Sequence, residues 1–497
     1  MDGTTAKKES FKNKRVTVMG LGLFGGGVGV TRFLVSQGAY VTVTDLKSAE
    51  ELSRSIKLLE DLPVNLRLGR HIDEDFSSVD LVIGNPAVPE SSKFLQIARD
   101  NDIPIDTELN IFFRLCPAPI TGITGSNGKS TTTALLGEML KRSGRKTWIG
   151  GNIGVSLLEH VDEMEPDDAV VIELSSFQLE ALGKIMVSPD VSVVTNIVPN
   201  HLDRHKTLKE YIEAKKAIIR FQDKDSYTIL NYDDQPVRKW KDECKGNVLW
   251  YSVTKELEEG AFLSKNEIVL HFDSKKSVIT DISEIKLKGL HNVQNVLAAV
   301  CAAGVTGVPV RAIGNAVIHF SGLEHRLEFV RSIHGILYYN DSKATTPEAA
   351  IAGIKAFHHS RKSDQAGQDL YASSQPYRPG RAHGTRTGGV IIIAGGYDKG
   401  VSFNKFAHEC IIGTKCVILT GGTAGKIKRC IQDIKGVNEK PEVYVESSFE
   451  EAVIKASAIA REGDVVLLSP ACASYGMFTN YEERGARFKE LVSRMDR

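Results

Sequence analysis

A run of small and hydroxyl-bearing residues, Gly122-Ile-Thr-Gly-Ser-Asn-Gly-Lys-Ser-Thr-Thr-Thr133, has the composition of a phosphate-binding loop. Its glycines permit tight turns, so several backbone N–H groups can point at one anion. The lysine supplies a positive charge for β- and γ-phosphates, and the next serine supplies a hydroxyl for Mg²⁺. The helix predicted to follow presents its N-terminus to the same anion. The strict pattern has a glycine where this chain has Ile123. The predicted nucleotide site consists of Gly125, Ser126, Asn127, Gly128, Lys129, Ser130 and Thr131.

Polar residues also follow two apolar runs that are predicted as strands of the same domain. Glu173 closes the run Ala169-Val-Val-Ile-Glu173, and a carboxylate at that position is well placed to bind Mg²⁺. Residues 196–205 contain His201 and His205, whose spacing would suit zinc on a helix. Pro199 and the lack of a third soft ligand count against zinc. This segment is therefore either a magnesium site with His201 as a nitrogen ligand or a surface turn.

A second glycine-rich turn lies near the N-terminus, within a predicted βαβ unit. The unit consists of a strand over Arg15–Met19, the turn Gly20–Gly29, a helix, and a strand over Tyr40–Thr44 that leads to Asp45. Backbone amides of such a turn approach a diphosphate closely, and Asp45 can accept a hydrogen bond from a ribose or a base. NAD, another nucleotide diphosphate and a purely structural turn all fit this pattern. Asn85 follows a further strand, at the sheet edge where ligands bind in open α/β sheets.

Three more motifs follow predicted strands in the last third of the chain. They are Asn340-Asp-Ser-Lys-Ala-Thr345, Gly395-Gly-Tyr-Asp-Lys-Gly400 and Ser469-Pro-Ala-Cys-Ala-Ser474. Because the carboxyl ends of parallel strands meet at one edge of a sheet, a single crevice can collect all three. Lysines, hydroxyls and backbone amides together favour a small substrate that bears carboxylates. Each motif on its own is equally compatible with a structural turn.

Length and composition describe a multidomain protein of ordinary globular type. The chain has 497 residues, which suggests about three domains, and 62 basic and 62 acidic residues give a net charge of zero. This balance argues against a broad surface for nucleic acid or membranes. Seven cysteines without CxxC spacing argue against a disulfide framework. We find neither a signal peptide nor an apolar run long enough to cross a bilayer, and we expect a cytoplasmic protein.

Alternating strands and helices predict an α/β fold with mostly parallel sheets. We place the predicted domains at residues 1–113, 114–322 and 323–497. Residues 358–389 break the pattern, because they are polar and rich in glycine, proline and arginine. We interpret them as a mobile surface loop, which is either a tolerated insertion or a binding segment for a partner.

The order of the motifs resembles that of the Mur ligase family over nearly the whole chain. Besides the motifs above, the resemblance rests on Gly150-Gly-Asn-Ile-Gly154, Glu173-Leu-Ser-Ser-Phe-Gln178, Asn200-His-Leu-Asp-Arg204, His291-Asn-Val-Gln-Asn295 and His325-Arg326. The motifs at 340–345 and 469–474 are similar to those of members that add D-glutamate to UDP-N-acetylmuramoyl-L-alanine. The resemblance implies a Rossmann-like domain for the UDP moiety, a P-loop ATPase-like central domain, and a Rossmann-like C-terminal domain for the amino acid.

The resemblance also implies ATP and two Mg²⁺ ions as cofactors of a monomer that binds no nucleic acid and does not insert into membranes. By composition Lys215 is a solvated helix lysine no different from Lys216, whereas the resemblance implies that Lys215 is a carbamate. The expected catalytic residues are Lys129, His201 and Lys215, and the expected metal ligands are Ser130, Glu173, His201 and Lys215. ATP is expected to contact Asn295, Arg326 and Asp341 in addition to the loop. The expected substrate-binding residues are Gly22, Leu23, Phe24, Asp45, Asn85, Asn152, Ser175, Lys343, Thr345, Lys399, Ser474 and Tyr481.

Three other interpretations remain at this point. A nicotinamide-dependent oxidoreductase built on residues 20–45 would leave the Lys129 loop unexplained. A binding protein with a degenerate ATP site is disfavoured by the joint presence of Lys129, Glu173, His201 and Lys215. A Mur ligase with a different amino-acid specificity is the main alternative among enzymes.

Overall fold

A computed structural model describes residues 10–22, 25–86, 88–152, 156–198, 205–287, 289–358, 388–398, 400–435 and 441–495. Three sheets carry the fold, and nearly all of their strands run parallel. This architecture confirms the predicted α/β class with three domains and mostly parallel sheets. The interpretation of residues 358–389 as a mobile loop lies almost entirely outside the described residues.

The first sheet follows from apolar, β-branched runs that are separated by short helices. Its strands are β1 (Arg15–Met19), β2 (Tyr40–Asp45), β3 (Val64–Leu68), β4 (Leu81–Gly84) and β5 (Ile105–Asp106). All pair in parallel, in the order β3-β2-β1-β4-β5. The glycine turn after β1 therefore lies where the strand order reverses, which is the place where open α/β sheets bind ligands.

The second sheet has nine strands and contains the phosphate-loop motif. Its strands are β6 (Ile120–Thr124), β7 (Thr147–Gly151), β8 (Ala169–Glu173), β9 (Val191–Val194), β10 (Tyr227–Asn231), β11 (Asn247–Ser252), β12 (Gly260–Ser264), β13 (Glu267–Phe272) and β14 (Lys275–Asp281). Strand β6 lies between β9 and β8 and is parallel to both. The segments that follow these three strands therefore emerge at one edge of the sheet.

The third sheet is the scaffold of the last three sequence motifs. Its strands are β15 (Glu328–Ile333), β16 (Ile336–Asn340), β17 (Val390–Ala394), β18 (Cys416–Leu419), β19 (Glu442–Val445) and β20 (Val465–Leu468). The order is β15-β16-β20-β17-β18-β19, and only the β15–β16 pair is antiparallel. The predicted motifs follow β16, β17 and β20, which are adjacent, so their carboxyl ends share one edge.

Helices connect the strands, and several of them begin at a capping side chain. Thr107, Ser175 and Thr207 each accept a hydrogen bond at a helix N-terminus, and Ser175 forms a full capping box with Gln178. The helices are α1 (Gly26–Ser36), α2 (Ser53–Lys57), α3 (Glu74–Ser77), α4 (Lys93–Asp100), α5 (Glu108–Leu115), α6 (Lys129–Arg142), α7 (Ser176–Lys184), α8 (Leu208–Arg220), α9 (Gln235–Arg238), α10 (Leu290–Val305), α11 (Val310–His319), α12 (Pro347–His358), α13 (Asn404–Gly413), α14 (Ala424–Lys435), α15 (Phe449–Ile459) and α16 (Tyr481–Ser493). In the described ranges, no helix is both long enough and apolar enough to cross a membrane.

The chain divides into two compact units. One unit ends at Thr280 and also includes Gln294–Val317, and the other contains Asp281–Val293 and the chain from Ile318 onward. The first unit therefore holds the first two sheets, and the second unit holds the third sheet. The domain limits at 113 and 322 stay predictions.

Within the first unit, the first two sheets share one apolar core. Val18 and Phe33 of the first sheet layer belong to the same buried cluster as Leu158 and Ile172 of the second. Helix α1 approaches the second layer so closely that a Cβ built on Gly29 would lie 2.3 Å from Ser156 Oγ and 2.4 Å from Ser156 Cβ. This contact fixes the start of α1, and hence the glycine turn before it, against the chain that follows Asn152.

A polar contact holds Ser156 in that position. Its hydroxyl donates a 2.7 Å hydrogen bond to Glu108 Oε1 at the first residue of α5. Burial raises the pKa of Glu108 to about 7, because the charged carboxylate loses water that the single hydroxyl replaces only in part. Ser156 cannot rotate away from α1 without losing this hydrogen bond, so Gly29 is a position where even a methyl group does not fit.

We therefore predict that Gly29→Ala lowers the free energy of unfolding by about 1–3 kcal/mol through overpacking. The matched control is Gly26→Ala in the same helix, where a Cβ would meet no atom within 4 Å, and it should change stability by less than about 1 kcal/mol. Chemical denaturation of the two variants measures the difference. Equal stabilities would show that Ser156 yields freely and that the contact does not fix the helix.

Candidate active site

The loop between β6 and α6 is closed so tightly that two of its glycines admit no side chain. Gly125 has a φ of 140° and Gly128 a φ of 86°, in the region that favours glycine. A Cβ on Gly125 would lie 1.9 Å from Thr195 Oγ1, and one on Gly128 would lie 2.1 Å from Asn295 Oδ1. The predicted tight turns are thus present, and Asn295 lies directly against the loop.

Residues that follow β9, together with a tyrosine on α8, hold this loop in shape. Thr195 Oγ1 donates to the Asn127 carbonyl at 2.6 Å, and Asn196 Oδ1 accepts from the Asn127 N–H at 2.9 Å. Ser126 Oγ lies 3.0 Å from the Tyr211 hydroxyl. Thr195 and Tyr211 were not among the sequence-predicted residues; polar residues at a strand end and on the next helix are the signal that could have found them.

Lys129, Ser130 and Thr131 form the first turn of α6. The Lys129 ammonium donates to the carbonyls of Gly125 at 3.0 Å and Ser126 at 3.2 Å, so it lies over the mouth of the loop. Ser130 and Thr131 are buried at the helix N-terminus. A glycine-rich loop, a lysine and a helix N-terminus thus converge, which is the arrangement that binds polyphosphate.

Glu173 ends β8 beside this loop and is almost fully buried, at 2% exposure. Its Oε1 accepts a 2.9 Å hydrogen bond from Asn152 Nδ2. Among the described residues, Oε2 has no hydrogen-bond partner. A buried carboxylate oxygen without a donor is costly unless a cation completes it. The donor set, a carboxylate with the Ser130 hydroxyl available nearby on α6, is therefore one that fits Mg²⁺.

Lys215 is buried on the inner face of α8, at 2% exposure, so the composition-based expectation of a solvated lysine is wrong. Its Nζ donates to Thr124 Oγ1 at 3.1 Å and lies 4.8 Å from the centre of the Tyr211 ring. Burial lowers the pKa of Lys215 well below its ordinary value; the charge of Lys129 lowers it further, and that of Glu173 opposes the shift. Lys216 instead forms ion pairs with Glu213 and Glu243 on the outer face. Consecutive residues of a helix point in different directions, so the two lysines lie on different faces of α8.

The first sheet places three predicted substrate-binding residues around its glycine turn. Asp45 accepts from the backbone N–H of Gly22 at 3.1 Å and from that of Lys47 at 2.9 Å, so it shapes the turn itself. Asn85 lies across from the turn, where a Cβ on Gly20 would meet its side chain at 3.0 Å.

The Ser175 hydroxyl, another predicted substrate contact, accepts a hydrogen bond as the N-cap of α7. The predicted residues Leu23, Phe24, His201 and Lys399 lie outside the described residues.

In the second unit, Asp341 is buried behind Arg326. Its Oδ2 accepts from the Ser469 hydroxyl at 2.6 Å, and its Oδ1 accepts from the Leu327 N–H at 3.2 Å. Burial raises the pKa of Asp341 to about 7, and the nearby charge of Arg326 opposes part of that rise. The charge of Arg326 and burial together lower the pKa of His291 to about 4. Ser469 was expected only as part of its motif, and the structure gives it a specific partner.

The three motifs at the edge of the third sheet come together, as their strand ends predicted. Gly395 N–H donates to the Pro470 carbonyl at 2.8 Å, which joins two of them. Lys343 N–H donates to the His325 carbonyl at 2.9 Å, and the Lys343 ammonium lies 5.7 Å from the centre of the Tyr481 ring. Thr345 is half-buried on the same loop, and Ser474 is buried at the end of its motif.

Two family models match this chain. The model described as Mur ligase middle domain matches residues 123–303, and the model described as Mur ligase MurD-like, N-terminal domain matches residues 14–106. Among curated proteins, the UDP-N-acetylmuramoylalanine--D-glutamate ligase of Clostridium kluyveri is 39% identical over 98% of each chain. That of Roseiflexus sp. is 41% identical over 96% of this chain and 98% of its own. The chain therefore belongs to the Mur ligase family, and within it to the UDP-N-acetylmuramoylalanine--D-glutamate ligases.

Solved structures share the fold. UDP-N-acetylmuramate-alanine ligase from Thermotoga maritima has a TM-score of 0.59 and 20% identity, covering 97% of this chain and 99% of its own. The MurF ligase from Thermotoga maritima, in a complex with ADP, has a TM-score of 0.55 and 16% identity, covering 98% and 100%. The family models and the curated relatives do not favour the nicotinamide-dependent oxidoreductase.

The raised pKa of Asp341 predicts a pH-dependent stability. Folded Asp341 keeps its proton up to about pH 7, whereas an unfolded aspartate loses it near pH 3.9. Between these values the folded state binds more protons, so stability falls as pH rises. Between pH 5 and 8, we expect the free energy of unfolding of Asp341→Asn to fall by about 2–3 kcal/mol less than that of the wild type.

Denaturant unfolding at several pH values, with wild type and variant side by side, measures this effect. Asp398→Asn is the control, because Asp398 is exposed and paired with Lys426, and it should leave the slope unchanged in this range. An Asp341→Asn variant with the wild-type slope would contradict the assignment.

Proposed function

We propose that this protein joins the L-alanine carboxylate of UDP-N-acetylmuramoyl-L-alanine to the amine of D-glutamate, with hydrolysis of ATP to ADP and phosphate. The reaction belongs to cytoplasmic peptidoglycan precursor synthesis, and the protein acts as a monomer. Membership among the D-glutamate ligases supports the substrates. One observation carries the chemistry: beside a polyphosphate loop lie a buried carboxylate oxygen without a partner and a buried lysine with a lowered pKa.

ATP solves the problem that a carboxylate is a poor electrophile. An oxygen of the L-alanine carboxylate attacks the γ-phosphorus as the bond to ADP breaks, and an acyl phosphate forms. The amine of D-glutamate then attacks the acyl carbon, the carbon–oxygen bond to phosphate breaks, the nitrogen loses a proton, and an amide and inorganic phosphate result. Both reactants of the first step are anions, so the site must bring negative charges together.

Lys129 and the loop amides meet that requirement. The lysine ammonium leaves its two carbonyl acceptors in the loop for the β- and γ-phosphates, where it stabilises charge that develops during transfer. Ser130 and Glu173 would hold one Mg²⁺, and His201 and Lys215 would hold a second. When bound, these ions neutralise phosphate and carboxylate charge. Asn152, which contacts Glu173, orients the muramoyl substrate. Gly22, Leu23, Phe24, Asp45, Asn85 and Ser175 are the further contacts proposed for this substrate.

Lys215 binds metal as a carbamate. Only a neutral amine reacts with carbon dioxide to give a carbamate and a proton, and burial of Lys215 favours the neutral amine. The product is an anion whose charge a metal would balance. Burial against Thr124 and Tyr211 also keeps the side chain in one orientation.

The remaining proposed contacts lie around α10 and the third sheet. Asn295, Arg326 and Asp341 hold the adenine, phosphate and ribose groups of ATP. The carboxylates of D-glutamate bind Lys343, Thr345, Lys399 and Ser474, beside the Tyr481 ring. Enclosure of the acyl phosphate during the reaction protects it from water.

The test is phosphate release from ATP with purified protein, Mg²⁺ and UDP-N-acetylmuramoyl-L-alanine. Release should require D-glutamate and produce the amide, while L-glutamate, L-lysine or no amino acid should give less than about one-hundredth of that rate. Lys129→Ala should abolish release, and Lys141→Ala, at the exposed end of the same helix, should not. Activity with another amino acid alone would instead indicate a Mur ligase of different specificity.

An added carboxylate should restore part of the activity that is lost when the carbamate is removed. We predict that Lys215→Ala lowers kcat by at least about 100-fold and that acetate or propionate restores part of it, because a free carboxylate can occupy the place of the carbamate. Lys216→Ala on the outer face of α8 is the control and should need no rescue. A Lys215→Ala enzyme that stays inactive with every short carboxylate would contradict the assignment.

A further inference from the structure

The second unit contains a buried arginine to which the proposed mechanism assigns no role. Arg484 lies in the first turn of α16 and is only 1% exposed. A buried guanidinium loses a large hydration energy, so protein groups must replace the hydrogen bonds that it would otherwise make to water. Where those partners lie shows what the residue holds in place.

The three side-chain hydrogen bonds that the structure shows for Arg484 go to the loops proposed to bind the amino acid. Nε donates to Ser342 Oγ at 3.0 Å, and Nη2 donates to the Ser342 carbonyl at 2.8 Å. Nη1 donates to the Cys472 carbonyl at 3.2 Å. Ser342 immediately precedes Lys343, and Cys472 lies two residues before Ser474. The planar fork of one side chain therefore ties the Asn340–Thr345 loop to the Ser469–Ser474 loop.

The third loop meets the same guanidinium. A Cβ on Gly396 would lie 3.4 Å from Arg484 Nη1 and 2.3 Å from the Ala473 carbonyl, and the φ of Gly396 is 153°. Tyr397 N–H donates to that Ala473 carbonyl at 3.0 Å. The glycine thus lets the Gly395–Gly400 loop close over the arginine, so all three strand ends converge on Arg484.

Two further contacts show that the first turn of α16 is shaped for this purpose. The Ser342 hydroxyl, which accepts from Arg484, donates to the Tyr481 carbonyl at 2.8 Å. A Cβ on Gly485 would lie 2.2 Å from His325 Nδ1, so Gly485 is needed where the helix meets the chain before Arg326. Tyr481, before Arg484, therefore contacts the Asn340–Thr345 loop, and Gly485, after it, lies against His325.

In the part of the chain that the structure describes, the groups that accept hydrogen bonds from the Arg484 side chain are neutral. Within the described ranges, no carboxylate forms an ion pair with it. Burial lowers the pKa of Arg484 to about 10, so the side chain remains a cation at pH 7. Its neutral partners leave the positive potential at the loop edge uncompensated, and such a potential favours anions.

From these contacts we infer that Arg484 is a positioning residue for the dicarboxylate amino acid. It holds the loops that carry Lys343 and Ser474 at a fixed spacing and adds a positive potential behind them. The inference rests on the proposed function, because it assigns the amino-acid substrate to these loops. Arg484 does not touch the reacting atoms; it acts through the loop residues.

The test separates substrate positioning from general stability. Steady-state kinetics of Arg484→Met should show KM for D-glutamate raised at least about 30-fold, with KM for ATP and for the UDP substrate within about threefold of wild type. Arg484→Lys keeps the charge but loses the fork, and should raise the same KM about tenfold. Arg487→Met is the control on the same helix, because Arg487 pairs with Glu450 and Glu490 at the surface, and its KM values should stay unchanged.

Ser342→Ala provides a second test if Arg484→Met folds poorly. It removes one acceptor with little change in volume, and it should raise KM for D-glutamate about fivefold with the melting temperature within about 5 °C of wild type. Variants of Arg484 and Ser342 that raise all three KM values equally, or none of them, would overturn the inference. A wild-type enzyme without D-glutamate-dependent activity would instead refute the proposed function.

Discussion

The burial of charged groups beside the phosphate loop is the constraint on which the first unit depends. Glu173 and Lys215 are each about 2% exposed, and Lys129 is close enough to lower the pKa of Lys215. Placing such charges in a poorly hydrated region is unfavourable unless ligands compensate them. The phosphate, metal and carboxylate proposed to bind here would supply that compensation. This is how an active site concentrates electrostatic energy on its substrates.

Parallel strand order supplies the means of assembling that site. Strands β9, β6 and β8 are adjacent and parallel, so residues far apart in sequence emerge at one edge. Glycines at 125 and 128 then permit contacts with Thr195 and Asn295 that any side chain would block. In the third sheet, β16, β20 and β17 are likewise adjacent and parallel, so the segments that follow them emerge at one edge. There Arg484 joins the loops that contain Ser342 and Cys472 through its side-chain hydrogen bonds.

The sequence could predict much of this arrangement but not all of it. Apolar runs and glycine turns predicted β1, β2, β8, β16 and β17, because a strand buried on both faces has an unbroken apolar composition. The loop at 125–131 was also predictable, since the required residue types are contiguous. Its closing partners Thr195 and Tyr211 were not, because only the tertiary fold brings them to the loop.

Lys215 and Arg484 illustrate the limit most clearly. Composition cannot separate Lys215 from Lys216, since one turn of a helix exposes one lysine and buries the other. The side-chain partners of Arg484 lie outside its own helix, since Cys472 is 12 residues away and Ser342 is 142 residues away. A weak signal did exist: Gly485 lies inside a helix, where glycine costs about 1 kcal/mol, and such a residue often marks a close approach of another element.

The central claim is that the site near Lys129 activates a carboxylate by transferring phosphate to it. The most direct measurement is isotope transfer from UDP-N-acetylmuramoyl-L-alanine labelled with ¹⁸O in both oxygens of the alanine carboxylate. Mass spectrometry of the inorganic phosphate should find one ¹⁸O atom for each amide formed, because the oxygen that attacks phosphorus leaves with it. Phosphate without label, formed together with the amide, would contradict the account.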